Sequence, residues 1–419
     1  MRIAWIGPTP NDEGGAPYVA TQLLCELARA GVQVDCFLSV TPDEIPQVLR
    51  EQKGLRFVLR PSAWRWGRWY NRTPTLAFLS GSMFRLRAQW ALASSIAERH
   101  AQQPYDVVYQ FSQSELGGLK SFRHALPPIV VHPSTHAGGE LEWYKREASL
   151  VRRCEPLPRR LAARAMLSLR ARVQRSQVPQ ADRVLGVSRR FTEHLAADYG
   201  IPTERLGVVV NPIDLDRFRP GNGQDKEAPL TLLFVSRISV RKGVDLVVGL
   251  SHRLADLEGQ VRILVLGGPT MWSDYRTLLS ELNPNIASYG GEVRADALSD
   301  LYQEATALLQ PSLYEPFALT VGEALASGLP VVASDEVGAA EDADRRVCFV
   351  FPNGDEDGFE RAVRRVLAAA RSSDGAQLSE LARAEAERLF SPATVAATLV
   401  TELERARSRS DQQRSRHGP

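Results

Sequence analysis

Short apolar runs alternate with helix-length segments along this chain, and the alternation happens twice. In the first half, strands are expected over 2–6, 32–38, 105–110, 128–132, 184–187 and 206–210. Pro17 near its start and Gly31 past its end bound a helix over 17–30, with Leu23, Leu24 and Leu27 on one face. Ser188 opens another helix that runs to Tyr199. The pattern restarts with strands over 230–235, 262–266, 287–290 and 307–310, and helices beginning at Val244, Trp272 and Asp296. Strand–helix alternation buries a parallel sheet between layers of helices, so two runs of it predict two doubly wound sheets. A chain of 419 residues is also too long for one ordinary core. The polar stretch 217–229, with Pro220, Gly221, Gly223 and Pro229, reads as the connection between them.

Open sheets of this kind bind ligands at the carboxyl ends of their strands. The stretch 311–340, PSLYEPFALTVGEALASGLPVVASDEVGAA, lies just past such an end. It places Glu315 and Glu323 eight residues apart, on either side of an expected loop-to-helix turn. Phe317, Ala318 and Leu319 are apolar, Thr320 suits the N-cap, and Gly328 with Pro330 ends the helix before a buried strand of Val331, Val332 and Ala333. A helix start offers unpaired amides and a positive dipole end, which suit a phosphate. Thr320-x-x-Glu323 also fits a capping box, which would give Glu323 a purely structural task.

The spacing of Glu315 and Glu323 resembles the E-x7-E signature of retaining nucleotide-sugar glycosyltransferases of sequence family 4. Further matching segments recur in order from Gly14 to about Pro352. The resemblance implies a GT-B architecture, an α/β fold of two Rossmann-like domains facing across a cleft. Its expected parts are an acceptor domain over 1–213, a nucleotide-sugar donor domain over 214–390, a helix over 391–407 packing back on the first domain, and a disordered tail over 408–419. It also implies transfer of a sugar from a UDP- or GDP-sugar to an acceptor hydroxyl, with retention at the anomeric carbon, in glycan, glycolipid or glycoconjugate synthesis.

Roles follow from that resemblance residue by residue. Gly14 and Gly15 form the glycine-rich loop that approaches the donor. Arg237 and Lys242 grip the diphosphate, aided by the backbone around Phe317, Ala318, Leu319 and Thr320. Glu315 meets the sugar and Glu323 the ribose. The backbone at Gly291 and Glu292 pairs with the base. A histidine after a first-domain strand faces the sugar; His136 fits the Pro-x-x-His-x-Gly portion, whereas counting from the strand favours His132. Two departures stand out: Ser236 occupies the usual glycine position before Arg237, and Pro212 replaces a glycine in the junction segment Asn211-Pro212-Ile213-Asp214. Arg241 has no assigned role and reads as a solvated surface arginine.

Composition narrows the remaining options. Only 5 of the 51 basic residues are lysine, so a lysine at a motif position carries weight. A net charge of +2 and the lack of a recognised module argue against nucleic acid. Cys25, Cys36, Cys154 and Cys348 are far apart and form neither a zinc framework nor a disulfide scaffold. No metal ligands are suitably spaced, so no cofactor is expected beyond the nucleotide-sugar co-substrate, with basic groups in place of a metal. No window reaches the roughly 18–20 apolar residues of a membrane span. The N-terminal apolar run is too short for a signal peptide, so a cytoplasmic location is expected.

Two regions stay open. Residues 60–90 mix Trp64, Trp66, Trp69, Tyr70 and Trp90 with arginines. Residues 145–175 hold ten basic and two acidic residues. These fit either a solvated arginine-rich helix with a buried apolar face, or an acceptor face meeting an anionic membrane or a lipid-linked acceptor, with peripheral attachment at the inner face of the membrane. Two other functions remain at this stage: a nucleotide-sugar 2-epimerase on the same architecture, and a non-catalytic partner that keeps the fold without turnover.

Overall fold

The computed structural model describes residues 1–419 apart from 12–13, 62–73, 222–228, 270–273, 373–374 and 418–419. Seven strands form the first sheet: β1 Arg2–Ile6, β2 Gln33–Leu38, β3 Leu55–Leu59, β4 Val107–Ser112, β5 Ile129–Pro133, β6 Arg183–Gly186 and β7 Leu206–Val208. All pair in parallel, in the order β3-β2-β1-β4-β5-β6-β7. The second sheet holds β8 Leu230–Val235, β9 Val261–Leu266, β10 Ala287–Gly291, β11 Ala307–Gln310, β12 Val331–Ser334 and β13 Cys348–Phe351. It is also wholly parallel, ordered β10-β9-β8-β11-β12-β13. Each order reverses beside its first strand, which opens a crevice at the carboxyl ends there.

Helices connect the strands. The first half carries α1 Ala16–Arg29, α2 Gln47–Arg50, α3 Pro74–Gln102, α4 Ala137–Arg146, α5 Ala148–Cys154, α6 Leu157–Gln177 and α7 Arg189–Tyr199. The second carries α8 Val244–Arg253, α9 Leu298–Glu304, α10 Leu319–Ala326, α11 Glu356–Arg371, α12 Gly375–Phe390 and α13 Pro392–His417. The last of these returns to the first sheet. Val395, Leu399 and Leu403 sit in the same apolar cluster as Ile3, Trp5 and the buried face of α1, and Glu402 pairs with Arg183 of β6 at a site where both side chains are less than a tenth exposed.

Several expected boundaries moved. The closing helix runs on to His417 and takes in most of the segment expected to be a disordered tail. The helix expected from Trp272 begins outside the described residues, and the described part is a short 3-10 turn, Arg276–Glu281. Of the tryptophan- and arginine-rich stretch, Trp64, Trp66, Trp69 and Tyr70 lie outside the described residues, while Trp90 sits on the 29-residue α3.

The two halves share apolar packing at their junction. Ile213 donates its amide to Phe390 O at 2.9 Å, so the two chain crossings, after β7 and between α12 and α13, are hydrogen-bonded to each other. Phe317 meets Phe390 edge-on at 5.6 Å between ring centroids. A Cβ on Gly322 of α10 would fall 2.6 Å from the Ile213 side chain. Leu319, at the start of α10, packs against the first half's core cluster, as does Ala16 at the start of α1. Two helix starts from the two halves are thereby held against one apolar cluster.

Candidate active site

The turn after β8 is built to meet the loop after β11. Residues Val240–Lys242 form a 3-10 turn that ends at Gly243, whose φ of 69° is left-handed. A Cβ there would fall 2.1 Å from Pro311 O, so only glycine permits this approach. Arg241 O then accepts the amides of Leu313, at 2.8 Å, and Tyr314, at 3.4 Å. This clamp brings Lys242 Nζ onto the Glu315 carboxylate. The other side of the Glu315 loop is pinned to the turn after β12, where Gly338 N donates to Glu315 O at 3.1 Å and Ala339 N to Phe317 O at 2.8 Å.

Glu315 is buried to 9% side-chain exposure with two cations beside it, Lys242 and, at 3.5 Å, Arg241. Burial alone would raise its pKa, but Lys242 and Arg241 outweigh that and hold the carboxyl below its usual range. Arg241 is therefore not the solvated arginine expected from sequence. It also donates to Tyr314 O at 3.2 Å and lies 3.8 Å from Glu140 of α4, across the junction. Arg237 stays exposed and donates to Pro269 O at 3.2 Å.

Glu323 sits elsewhere than a capping box would put it. The cap residue of α10 is Ala318, at a φ of 76° and a ψ of 90°, and no side chain caps the helix. Thr320 lies inside the helix and donates to Gln310 Oε1 at 3.1 Å instead. Glu323 accepts from Tyr302 Oη of α9 at 2.9 Å. Burial pushes its pKa up to about 7, with the Tyr302 bond and the Arg217 charge pulling the other way. Tyr302 and Arg217 are thus contributors that sequence reading missed. An apolar strand–helix context gives a lone tyrosine no distinctive spacing, and Arg217 lay in the segment read as the connection between the halves.

The two candidate histidines have other tasks. His132 is fully buried in the first sheet; its Nδ1 accepts from Tyr109 Oη at 2.7 Å and its Nε2 donates to Val209 O at 2.9 Å. Burial lowers its pKa to about 4. It is a satisfied core residue and does not line the cleft, which corrects the expectation of a substrate contact. His136 is the N-cap of α4: its Nδ1 accepts from Gly139 N at 3.3 Å and from Tyr314 Oη at 3.0 Å. With Nδ1 accepting, Nε2 carries the proton and donates to Asp198 Oδ2 at 2.8 Å. The ring thus holds a helix start and the neighbour of Glu315, with both nitrogens engaged, where sequence suggested an open face towards a sugar.

Gly15 precedes α1 at a φ of 86°, which a residue with a Cβ rarely adopts. Gly14 is exposed, with space around it. Gly291, at a φ of 82°, ends β10, and its carbonyl accepts from Gly267 N at 2.8 Å. Glu292 follows, its side chain packed against Gly268. The expected residues Gly14, Gly15, Arg237, Lys242, Glu292 and Glu315 lie on strand-to-helix connections at the carboxyl ends of the two sheets, Gly291 ends β10, and Glu323 lies one turn inside α10. Beside them is a pocket of about 650 Å³, lined by residues that include His136, Trp143, Lys145, Arg175, His194 and Tyr314. Among the described residues no group of three or more His, Cys, Asp or Glu side chains converges as a metal site.

Two wholly parallel, doubly wound halves joined at a basic, glycine-bearing junction have the GT-B architecture, and comparison with known proteins places the chain among glycosyltransferases. The family model described as "Glycosyltransferase Family 4" matches residues 13–217, and that described as "Glycosyl transferases group 1" matches residues 229–369. The chain belongs to this glycosyltransferase family. It is 28% identical over 345 residues to a D-inositol 3-phosphate glycosyltransferase of Mycobacterium sp. (strain KMS), covering 78% of this chain and 71% of the relative. A protein of the same name from Xylanimonas cellulosilytica is 29% identical, covering 78% and 76%. Among solved structures, sucrose-phosphate synthase from Thermosynechococcus elongatus superposes with a TM-score of 0.68 at 20% identity, over 96% of this chain and 98% of that one. Anabaena HepE in complex with UDP gives 0.63 at 17% identity, over 96% and 100%.

Proposed function

We propose that this glycosyltransferase moves a sugar from a nucleotide-diphosphate donor, UDP- or GDP-linked, to an acceptor hydroxyl in glycan, glycolipid or glycoconjugate synthesis, retains the anomeric configuration and needs no metal. The observation that carries this reading is the Lys242–Glu315–Arg241 cluster beside the start of α10. A departing nucleotide diphosphate gains negative charge in the transition state, and pre-placed cations and helix-start amides stabilise it without reorganising. In this reading Arg237, Lys242 and the amides around Leu319 and Thr320 receive the diphosphate. Glu315, kept ionised by its two cations, accepts a hydrogen bond from a sugar hydroxyl and offsets positive charge developing on the ring. Glu323 accepts from the ribose. His136 acts at one remove, fixing Tyr314 and with it the Glu315 loop. Anabaena HepE, solved with UDP and with UDP-glucose, supports a donor of this class on this fold.

The test is transfer from UDP- and GDP-sugars to a panel of hydroxyl acceptors, with product stereochemistry read by NMR. Retention, and turnover unchanged in EDTA, are expected. Inversion, or loss in EDTA restored by magnesium or manganese, would overturn the mechanism. An epimerised donor formed without acceptor would assign an isomerase instead.

A further inference from the structure

α6 is amphipathic in an unusual sense. Its inward face is Ala163, Leu167, Ala171 and Gln174, all buried. Gln174 Oε1 accepts from Ala137 N at 3.0 Å and from Tyr199 Oη at 2.9 Å, which fixes the helix to α4 and α7. The outward face should then be polar, yet Leu157, Leu161 and Leu169 lie on it at 57%, 59% and 63% exposure. At 100° per residue these three, together with Arg164 and Arg172, fall within an arc of roughly 140° that contains none of the buried set. Arg164 and Arg172 are exposed and make no ion pair among the described residues. The 21 residues of α6 include six arginines and no acidic residue. Three leucines held in water at such exposure are unfavourable for a protein with no partner there.

The location adds to this. Near its C-terminal end α6 adjoins the loops that leave β4 and β5 at the carboxyl edge of the first sheet. Arg170 Nε reaches Glu115 at 3.2 Å and Gln177 Oε1 accepts from Gly117 N at 3.2 Å. On the far side of the 113–117 loop, Gln113 is bonded to Gln89 of α3, the helix that exposes Leu86 and Trp90 at 62% and 53%. No helix among the described residues is long and apolar enough to cross a membrane.

We propose that the outward face of α6 docks in the plane of an anionic lipid surface, its leucines entering the acyl boundary and Arg164 and Arg172 meeting lipid phosphates. Arginine on such a face extends its charge to the headgroups while its stem stays in apolar surroundings. The purpose, presenting a lipid-carried acceptor at the mouth of the cleft, rests on the transferase reading; the contact itself does not.

Co-sedimentation of the full chain with phosphatidylcholine vesicles, with and without phosphatidylglycerol, tests the contact. Binding is expected with the anionic vesicles only, and high salt should release it. Leu157→Ser/Leu161→Ser/Leu169→Ser should lower partitioning about tenfold or more, and Arg164→Gln and Arg172→Gln roughly fivefold each. Unchanged melting temperature and nucleotide affinity in these variants would show that the fold and donor site are intact. Equal sedimentation of the wild type with both vesicle types, or wild-type binding by the triple leucine variant, would overturn the proposal. So would a concentration-dependent dimer that the leucine substitutions abolish, which would assign the face to a second copy of the chain.

Discussion

A buried carboxylate between two cations is a unit, and removing one member leaves the others unbalanced. Lys242→Ala strips Glu315 of its closest partner, and breaking a buried pair costs about 3–5 kcal/mol. Arg241, at 3.5 Å, offsets part of that loss. Lys242→Ala is therefore expected to lower both the melting temperature and kcat/KM, the latter by roughly ten- to a thousand-fold. Adding Glu315→Gln to it should restore stability without restoring activity. A double variant no more stable than Lys242→Ala would show that the pair is not coupled. Glu323 gives a pH signature. Its pKa is raised by burial to about 7, so below that value it is largely protonated in the folded protein. The carboxylate is a stronger acceptor than the neutral acid, so if Glu323 holds the ribose as proposed, nucleotide affinity should climb as pH rises through about 7, and Glu323→Gln should flatten the profile in calorimetry. The same shift bears on stability. A carboxyl whose folded pKa exceeds its unfolded value favours folding below the unfolded value, and that contribution is lost as pH rises towards 7.

At the scale of elements, the start of α10 holds strain that its sequence does not announce. Ala318 adopts φ 76° and ψ 90° with no side-chain cap on the helix behind it. Such a conformation costs a residue with a Cβ about 1–3 kcal/mol. Ala318→Gly should relieve part of this and raise the melting temperature, whereas Ala318→Val, β-branched at a positive φ, should lower it and disturb the neighbouring amides. Equal stability of the two variants in thermal denaturation would contradict the strain. The strain persists because both neighbours of Ala318 are fixed, Phe317 through Ala339 and Phe390, and Leu319 against the first half's core.

For the whole molecule, the two halves are tied by charge as well as by the apolar packing at their junction. Glu341 accepts from the amides of Arg189 at 2.8 Å and Arg190 at 2.5 Å, so a carboxylate of the second half sits on the start of α7 in the first. Arg189 also pairs with Asp342, and Arg190 with Glu336 at 2.7 Å. The His136–Tyr314 bond lies beside them. These contacts hold the halves together without a donor. Glu341→Ala with Arg189→Ala is accordingly expected to enlarge the ligand-free particle in small-angle scattering, and nucleotide sugar, if it meets Gly14 and Gly15 of the first half as well as the cations of the second, to compact it again. An identical radius of gyration for wild type and variant would show that the ion pairs do not set the closure.

Apolar periodicity, Gly31 after α1, and Gly328 with Pro330 after α10 were enough to specify two parallel sheets and the strand-to-helix turns on which the candidate residues lie, because those signals are local. Glu315 and Glu323 were legible as candidates for the same reason, since their spacing follows from one loop and one helix, and Lys242 stood out at a separate turn in a chain with only 5 lysines. Three things were not. The buried place of Arg241 depends on Gly243 closing onto Pro311 O, sixty-eight residues further along the chain. The core role of His132 depends on Tyr109 of the adjoining β4 and on Val209 just past β7, and that of His136 on Asp198 and Tyr314. The cap of α10 fell on Ala318 although Thr320 has the better intrinsic preference, since packing of Phe317 and Leu319 on both sides outweighs a capping bond worth about 1 kcal/mol. Sequence determined which residues stand at the turns; tertiary packing decided which of them meet, because burial and long-range pairing set the surroundings of a charge and spacing along the chain does not.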